Sequence, residues 1–226
     1  FEFIERVFVT MARTPRHTYQ ILTKRPQRML AFLHRNATGG RIFHLADDRG
    51  VESGAWPLPN VWLGVSVENQ ETADERIPVL LQTPAAVRFV SAEPLLGPVS
   101  LKPWLSLCRA DLVTDERGKY SETRHKVANG MRVFARREAW AMHWVIVGGE
   151  SGSGARPTHP EWVRAIRDQC RATSVPFFFK QWGQWAPISQ MPSGDQPGCS
   201  DYHRKARSLV LHPDGQQNRT YPPGAM

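Results

Sequence analysis

The chain has 226 residues, of which 41% are hydrophobic and 22% charged, a balance that fits a globular domain and excludes wholesale disorder. No apolar run reaches the roughly 18 residues that a membrane-crossing helix needs, and no secretory leader is visible. The formal net charge is +8, which favours anionic partners such as nucleic acid or phosphorylated substrates, although the arginines are scattered rather than blocked.

Phe1, Ile4, Val7, Phe8 and Met11 recur at helical spacing and predict a helix over about 1–13 that Thr14-Pro15 closes. No capping residue precedes this run and Phe1 is not Met, so the chain is expected to have lost its natural N-terminus. Thr18 to Thr23 reads as a strand, and Pro26 suits the first position of the next helix, with Met29, Leu30 and Leu33 as its apolar face. Residues 36–60 carry Gly, Asp and Pro and read as a loop. Val61 to Ser66 is the next strand, Thr72 to Gln82 the next helix with Pro78 kinking or restarting it, and Val87 to Ser91 a further strand.

Residues 100–143 are charged and irregular and read as an insertion. Trp144 to Gly148 is a continuous apolar strand, followed by a glycine-rich loop to Thr158. Pro160 opens a helix to about Arg171, and Pro176 to Lys180 is the last strand of the series. A Pro- and Gly-rich tail follows, with Leu209-Val210-Leu211 turning at Pro213-Asp214-Gly215 as a hairpin. The expected division is therefore a barrel-like domain over 1–190 and a tail over 191–226.

Alternating strands and helices imply a parallel sheet with right-handed crossovers. The strands alternate little, which predicts burial on both faces. Five core strands are visible where a closed barrel wants about eight. The expected fold is a partial (βα)-repeat barrel with an irregular insertion and a short C-terminal hairpin. A doubly wound open sheet is the alternative.

In parallel α/β folds ligands bind where the strands end. Here those ends carry Lys24 and Arg25, Ser66 and Glu68, Glu93, Glu150, then Lys180 and Gln181. The three carboxylates suit a divalent cation, an amine or proton transfer, and the lysines suit a carboxylate or phosphate. These charges either serve a ligand or pair with one another across a solvated mouth. The loop Gly148 to Arg156 is either an anion cradle or a flexible connection, and it lacks the phosphate-loop pattern. Trp182 and Trp185 are placed to stack on a base, whereas Trp62, Trp144 and Trp162 read as core. Cys108, Cys170 and Cys199 are odd in number and widely spaced, which points to a reducing, cytoplasmic setting and to no zinc or iron–sulfur motif within this chain. The histidines form no HxxxH or HExxH pattern.

Five runs are long enough to carry a resemblance: Tyr19 to Pro26 (YQILTKRP), Asn60 to Asn69 (NVWLGVSVEN), Ser91 to Pro98 (SAEPLLGP), Trp144 to Arg156 (WVIVGGESGSGAR) and Phe178 to Trp185 (FFKQWGQW). Together they resemble a phage- and prophage-associated family of uncharacterised proteins that look like radical S-adenosylmethionine enzymes. The resemblance implies a radical-SAM-like barrel and a [4Fe–4S] cluster held by cysteines that family members carry ahead of the helix at which this chain begins. Cys108, Cys170 and Cys199 do not match those cysteines, so the chain alone is expected to be unable to cleave S-adenosylmethionine reductively. Ser66, Glu68, Glu93, Glu150 and Lys180 lie in the matching runs and are expected to contact S-adenosylmethionine or substrate. With the strand-end neighbours Lys24, Arg25 and Gln181 they make up the expected site, with no metal ligand among them. A nucleic acid or a protein is the expected substrate, and no membrane is involved. Two other functions fit the same residues: a divalent-metal barrel enzyme using Glu68, Glu93 and Glu150, and a non-enzymatic nucleic-acid-binding module.

Overall fold

The computed structural model describes residues 2–35, 38–47, 56–105, 142–187, 207–211 and 217–220. In chain order the elements are α1 (Glu2–Ala12), β1 (Tyr19–Thr23), α2 (Pro26–Leu33), α3 (Thr38–Asp47), β2 (Val61–Ser66), α4 (Gln70–Gln82) and β3 (Val87–Ala92). Then come α5 (Lys102–Leu105), β4 (Trp144–Gly148), α6 (Pro160–Ala172), β5 (Phe177–Gln181), β6 (Trp185–Pro187), β7 (Arg207–Leu211) and β8 (Gln217–Thr220).

Local chemistry sets several boundaries. Pro26 and Pro160 each occupy the first turn of a helix, where the missing N–H costs nothing. The Asn69 side chain accepts from Thr72 N–H at 3.0 Å, and the Thr72 hydroxyl accepts in return from Asn69 N–H at 3.1 Å. This reciprocal cap starts α4 at Gln70, before the expected Thr72, and satisfies amides that the first turn would leave bare. The helix then runs through Pro78 as one element.

Strands β1 to β5 form one sheet in the order β1-β2-β3-β4-β5, and every neighbouring pair is parallel. That order never reverses, so the sheet has no switch point of the doubly wound kind. It is also not closed: β1 and β5 are its edges, where a barrel of about eight strands would have none. Right-handed crossovers in an unreversed order place all the helices on one side. The packing agrees. Val65, Val90, Ala92, Val145 and Val147 share a core with Ile77 and Leu80 of α4 and Ile166 and Cys170 of α6. Val61 and Leu63 share another with Phe8 of α1, Phe32 of α2 and Ile42 of α3. A fully buried Ile77 or Leu80 contributes about 1.5–3 kcal/mol.

Three expectations need correction. Residues 38–47, read as loop, form α3. Gly39 and Gly40 weaken the local helical signal, but Ile42 and Ala46 pack into the α1–α2 core, and Arg41 pairs with Glu5 at 3.0 Å. Gly39 is also needed where it stands, since a Cβ there would lie 2.7 Å from Trp56 Cγ. The strands are buried on both faces only in the middle of the sheet: β2 and β3 are nearly all buried, whereas edge strands β1 and β5 alternate. Trp62 and Trp144 are half-buried and sit on the face opposite the helices, outside both helix-packed cores.

A second sheet has the order β6-β7-β8, with β7 and β8 antiparallel. The expected turn at residues 213–215 lies outside the described residues, as does most of the 100–143 segment beyond α5. No helix among the described residues is long and apolar enough to cross a membrane.

Candidate functional site

The side of the main sheet away from the helices is built in tiers, because parallel register places side chains level across the strands. Leu22, Gly64, Phe89 and Trp144 are successive register partners, and so are Ser66, Ser91, Ile146 and Phe178. Gly148 pairs with Gln181 after a register shift that leaves Lys180 as the extra residue. Tiers two residues apart are separated by about 6.6 Å. The lower tiers are aromatic: Trp144 lies 6.0 Å from Trp62, 6.0 Å from Phe89 and 6.3 Å from Phe178, ring centre to ring centre. Phe89 rests on Gly64, where any Cβ would come within 2.5 Å of the ring.

Above these tiers, past the carboxyl ends of the strands, the chain turns charged. Lys24 Nζ sits 2.6 Å from Glu68 Oε1, and Arg76 Nη1 sits 2.9 Å from Glu68 Oε2. Arg76 also donates to the Ser66 carbonyl at 2.9 Å, which ties α4 to the end of β2. Burial alone raises the Glu68 carboxyl, but the Lys24 contact, the Arg76 charge and the Thr72 hydroxyl outweigh it and hold the group below the usual range.

Glu93 lies across Gly148, where a Cβ would meet its Cδ at 2.9 Å. It accepts from Lys180 Nζ at 3.1 Å and from Gln181 Nε2 at 3.2 Å, and Gln181 also reaches the Ser151 hydroxyl at 3.3 Å. Glu150 accepts two bonds from the Arg156 guanidinium, at 2.7 and 2.9 Å, and one from the Arg156 backbone N–H at 2.7 Å. Those bonds hold its carboxyl at about 2.

The loop after β3 joins these groups. Leu96 N–H donates to the Glu68 carbonyl at 2.8 Å, and Leu95 N–H donates to the Gly148 carbonyl at 3.0 Å. The buried Thr158 hydroxyl donates to the Leu95 carbonyl at 2.9 Å. The ends of β4 and β5 interlock as well, through Gly149 N–H to the Gln181 carbonyl and Gln184 N–H to the Glu150 carbonyl. That crossing is close enough that a Cβ on Gly149 would overlap the Trp182 carbonyl. Gly183 turns beneath it at a φ of 80° that suits glycine.

Of the expected site residues, Lys24 and Glu68 are brought together, and so are Glu93, Lys180 and Gln181. Ser66 is buried one tier below, beside Ser91. Glu150 pairs with a residue outside the expected set. Arg25 is exposed at the N-cap of α2, and its N–H bonds the Thr23 hydroxyl at 3.0 Å. The three carboxylates do not converge as a divalent-metal site requires. Each holds a cation of its own, and no group of three or more His, Cys, Asp or Glu able to hold a metal occurs among the described residues.

Trp185 is not a stacking platform either. It is buried, and its indole N–H donates to the Ala155 carbonyl at 2.6 Å, which pins the glycine-rich loop. Trp182 packs against Phe179 at 4.6 Å. Cys170 lies buried in α6 with its thiol pushed up to about 12 by burial.

Arg76 and Arg156 are the groups that sequence reasoning missed. Arg76 lies in the second turn of α4, eight residues past Glu68. Only the Asn69–Thr72 cap, by fixing where α4 begins, signals that Arg76 can reach back to the strand end. Arg156 stood at the end of a recognised run, six residues from its partner.

The family model described as "Protein of unknown function (DUF5131)" matches residues 1–221, so the chain belongs to that family. No curated protein and no solved structure matches it.

Proposed function

We propose that this member of the DUF5131 family carries the ligand mouth of a radical-S-adenosylmethionine-like enzyme, and that its strand-end rim holds the sulfonium nucleoside. One observation carries the reading. At the carboxyl ends of an open parallel sheet, each buried-side carboxylate is already held by a cation, and one of them, Glu68, is held by two.

An amino-acid zwitterion needs one charge of each sign, presented without leaving a bare charge behind. Glu68 meets that need. If Lys24 swings away to a ligand carboxylate, Arg76 still neutralises Glu68, and the freed Oε1 accepts the ligand ammonium. The exchange replaces one ion pair by two and leaves no buried charge unpaired. Ser66 and Ser91 lie one tier below as hydroxyls for a ribose, and Glu93 with Lys180 and Gln181 faces the same mouth from the far edge. Arg25, exposed beside Lys24, adds a second cation for an anionic ligand group.

S-adenosylmethionine, bound beside a reducing [4Fe–4S] cluster, supplies radical hydrogen-abstraction chemistry. The described residues do not fit the cluster: Cys170 is buried in α6 with a raised thiol pKa, and it has no cysteine partner there. The role of these residues is therefore to bind and orient.

Isothermal titration calorimetry of S-adenosylmethionine into the chain tests this. Saturable one-to-one binding is expected, weakened about tenfold, or about 1.4 kcal/mol, by Glu68→Gln. An absence of binding, or equal affinity in the variant, overturns the reading.

A further inference from the structure

We infer that the face of the main sheet opposite its helices binds the bases of single-stranded nucleic acid, which is the substrate class of the mouth. Only the word substrate rests on the proposed function; the binding itself stands on separate observations.

The first observation is the aromatic ladder. Trp144 stands at its centre, 6.0 Å from Trp62, 6.0 Å from Phe89 and 6.3 Å from Phe178, ring centre to ring centre; Phe89 is buried beneath it, while Trp62 and Trp144 are half-buried. The ladder opens to solvent at both edges, where Leu22 is 47% and Phe178 49% exposed. Phe178 meets Trp144 with one part of its ring and leaves about half of its surface to solvent, continuous with the half-buried Trp144. Stacking a base on the open part of that ring would cover the apolar surface that folding leaves exposed.

The second observation is how charge is layered above the ladder. The carboxylates lie inward, with side chains 12% (Glu68), 19% (Glu93) and 25% (Glu150) exposed. Their partners lie outward, with Lys24 60%, Lys180 51% and Arg156 61% exposed. Solvent therefore meets cations first, and exposed Arg25 adds to them. Phe178 sits one tier below this rim and two residues from Lys180. A base on Phe178 thus has a cation beside it for the adjoining phosphate. An apolar protein segment laid on the ladder would leave those rim cations unanswered, whereas a polyanion with flat apolar bases satisfies both features. The net charge of +8 points the same way.

Fluorescence anisotropy of labelled oligonucleotides of about a dozen residues, titrated with the 226-residue chain, tests the inference. Oligothymidine, oligouridine, a duplex and a free mononucleotide form the arms, and the first two distinguish DNA from RNA as the source of the bases. At least one single-stranded arm is expected to bind more tightly than the duplex and the mononucleotide, with quenching of tryptophan fluorescence and weakening as salt rises. Phe178→Ala is expected to weaken it about tenfold and Phe178→Tyr to restore it, while Phe3→Ala, on the exposed face of α1, changes nothing. Because Phe178 is half-exposed, the variant is expected to keep the parent melting temperature. Equal binding of duplex, equal binding of the mononucleotide, no binding, or binding indifferent to Phe178→Ala each overturns the inference. Oligonucleotide binding without S-adenosylmethionine binding would sink the proposed function alone, and the reverse result would sink this inference alone.

Discussion

Lys24 Nζ stands 2.6 Å from Glu68 Oε1, although the two residues come from different strand ends and differ sharply in exposure. The register of β1 on β2 makes the meeting unavoidable. Thr23 pairs with Val65, so each strand leaves the sheet at the same level. Glu68 would be an uncomfortable half-buried anion without this partner, and Arg76 makes it secure enough for Lys24 to be given up.

That division of labour predicts different outcomes for the two cations. Arg76→Met leaves the Ser66 carbonyl and Glu68 Oε2 without their donor, and is expected to cost about 1–3 kcal/mol of stability. Lys24→Met removes an exposed partner and is expected to cost under about 1 kcal/mol while still weakening ligand binding. Urea denaturation of both variants, set beside their calorimetric affinities, checks the split. Equal stability losses would show that Lys24 is structural.

Acid titration provides a second prediction. The Glu150 carboxyl is held at about 2 by Arg156, against 4.5 for the free group. A carboxyl with a depressed folded pKa stabilises the protein above its unfolded value, and loses that contribution as pH falls through the folded one. The melting-temperature gap between the parent and Arg156→Ala should therefore be constant above pH 4.5 and close as pH falls towards 2. Solvent screening keeps the gap small, and high salt should shrink it further. A gap that is unchanged on acidification would contradict the pairing.

Adjacent glycines should behave unlike each other. A Cβ at Gly148 meets the Glu93 carboxyl at 2.9 Å, and that is the mobile end of a side chain. A Cβ at Gly149 overlaps a backbone carbonyl, which cannot move aside. Gly148→Ala is expected to fold with a modest loss of stability and weakened ligand binding, because Glu93 is pushed off Lys180. Gly149→Ala is expected to cost about 1–3 kcal/mol or more. Circular-dichroism melts of the two variants check this ranking.

Trp185 offers a fourth test. Phenylalanine at this position keeps most of the buried surface but leaves the Ala155 carbonyl without its donor. Trp185→Phe is expected to lose about 1–3 kcal/mol and to leave the fluorescence response to oligonucleotide intact. Loss of that response would restore Trp185 as a stacking residue.

Much of the framework could be read from the sequence because it is locally encoded. The Trp144–Gly148 strand, Pro26 and Pro160 at helix starts, and the polar strand ends are all signalled within a few residues. The missed features depend on partners far away in sequence. Helix α3 is held by Phe8 and Glu5 against the weak propensity of Gly39 and Gly40. The exposed alternation of β1 and β5 follows from their being edges, which no single strand reveals. Trp185 resembles a stacking residue because it follows the end of a strand, and only Ala155, thirty residues earlier, makes it structural. The carboxylates were visible, whereas Arg76 and Arg156 as their cations were not. The metal alternative stays open in the sequence because Arg76 and Arg156, the partners of Glu68 and Glu150, lie off the strand ends.

The most direct measurement is a crystal structure of the chain grown with S-adenosylmethionine. The nucleoside is expected at the strand-end rim, with its amino-acid group between Glu68 and Lys24 and Arg76 still on Glu68. A ligand bound on the helix-covered side, or at the rim with the Lys24–Glu68 pair undisturbed, would contradict it.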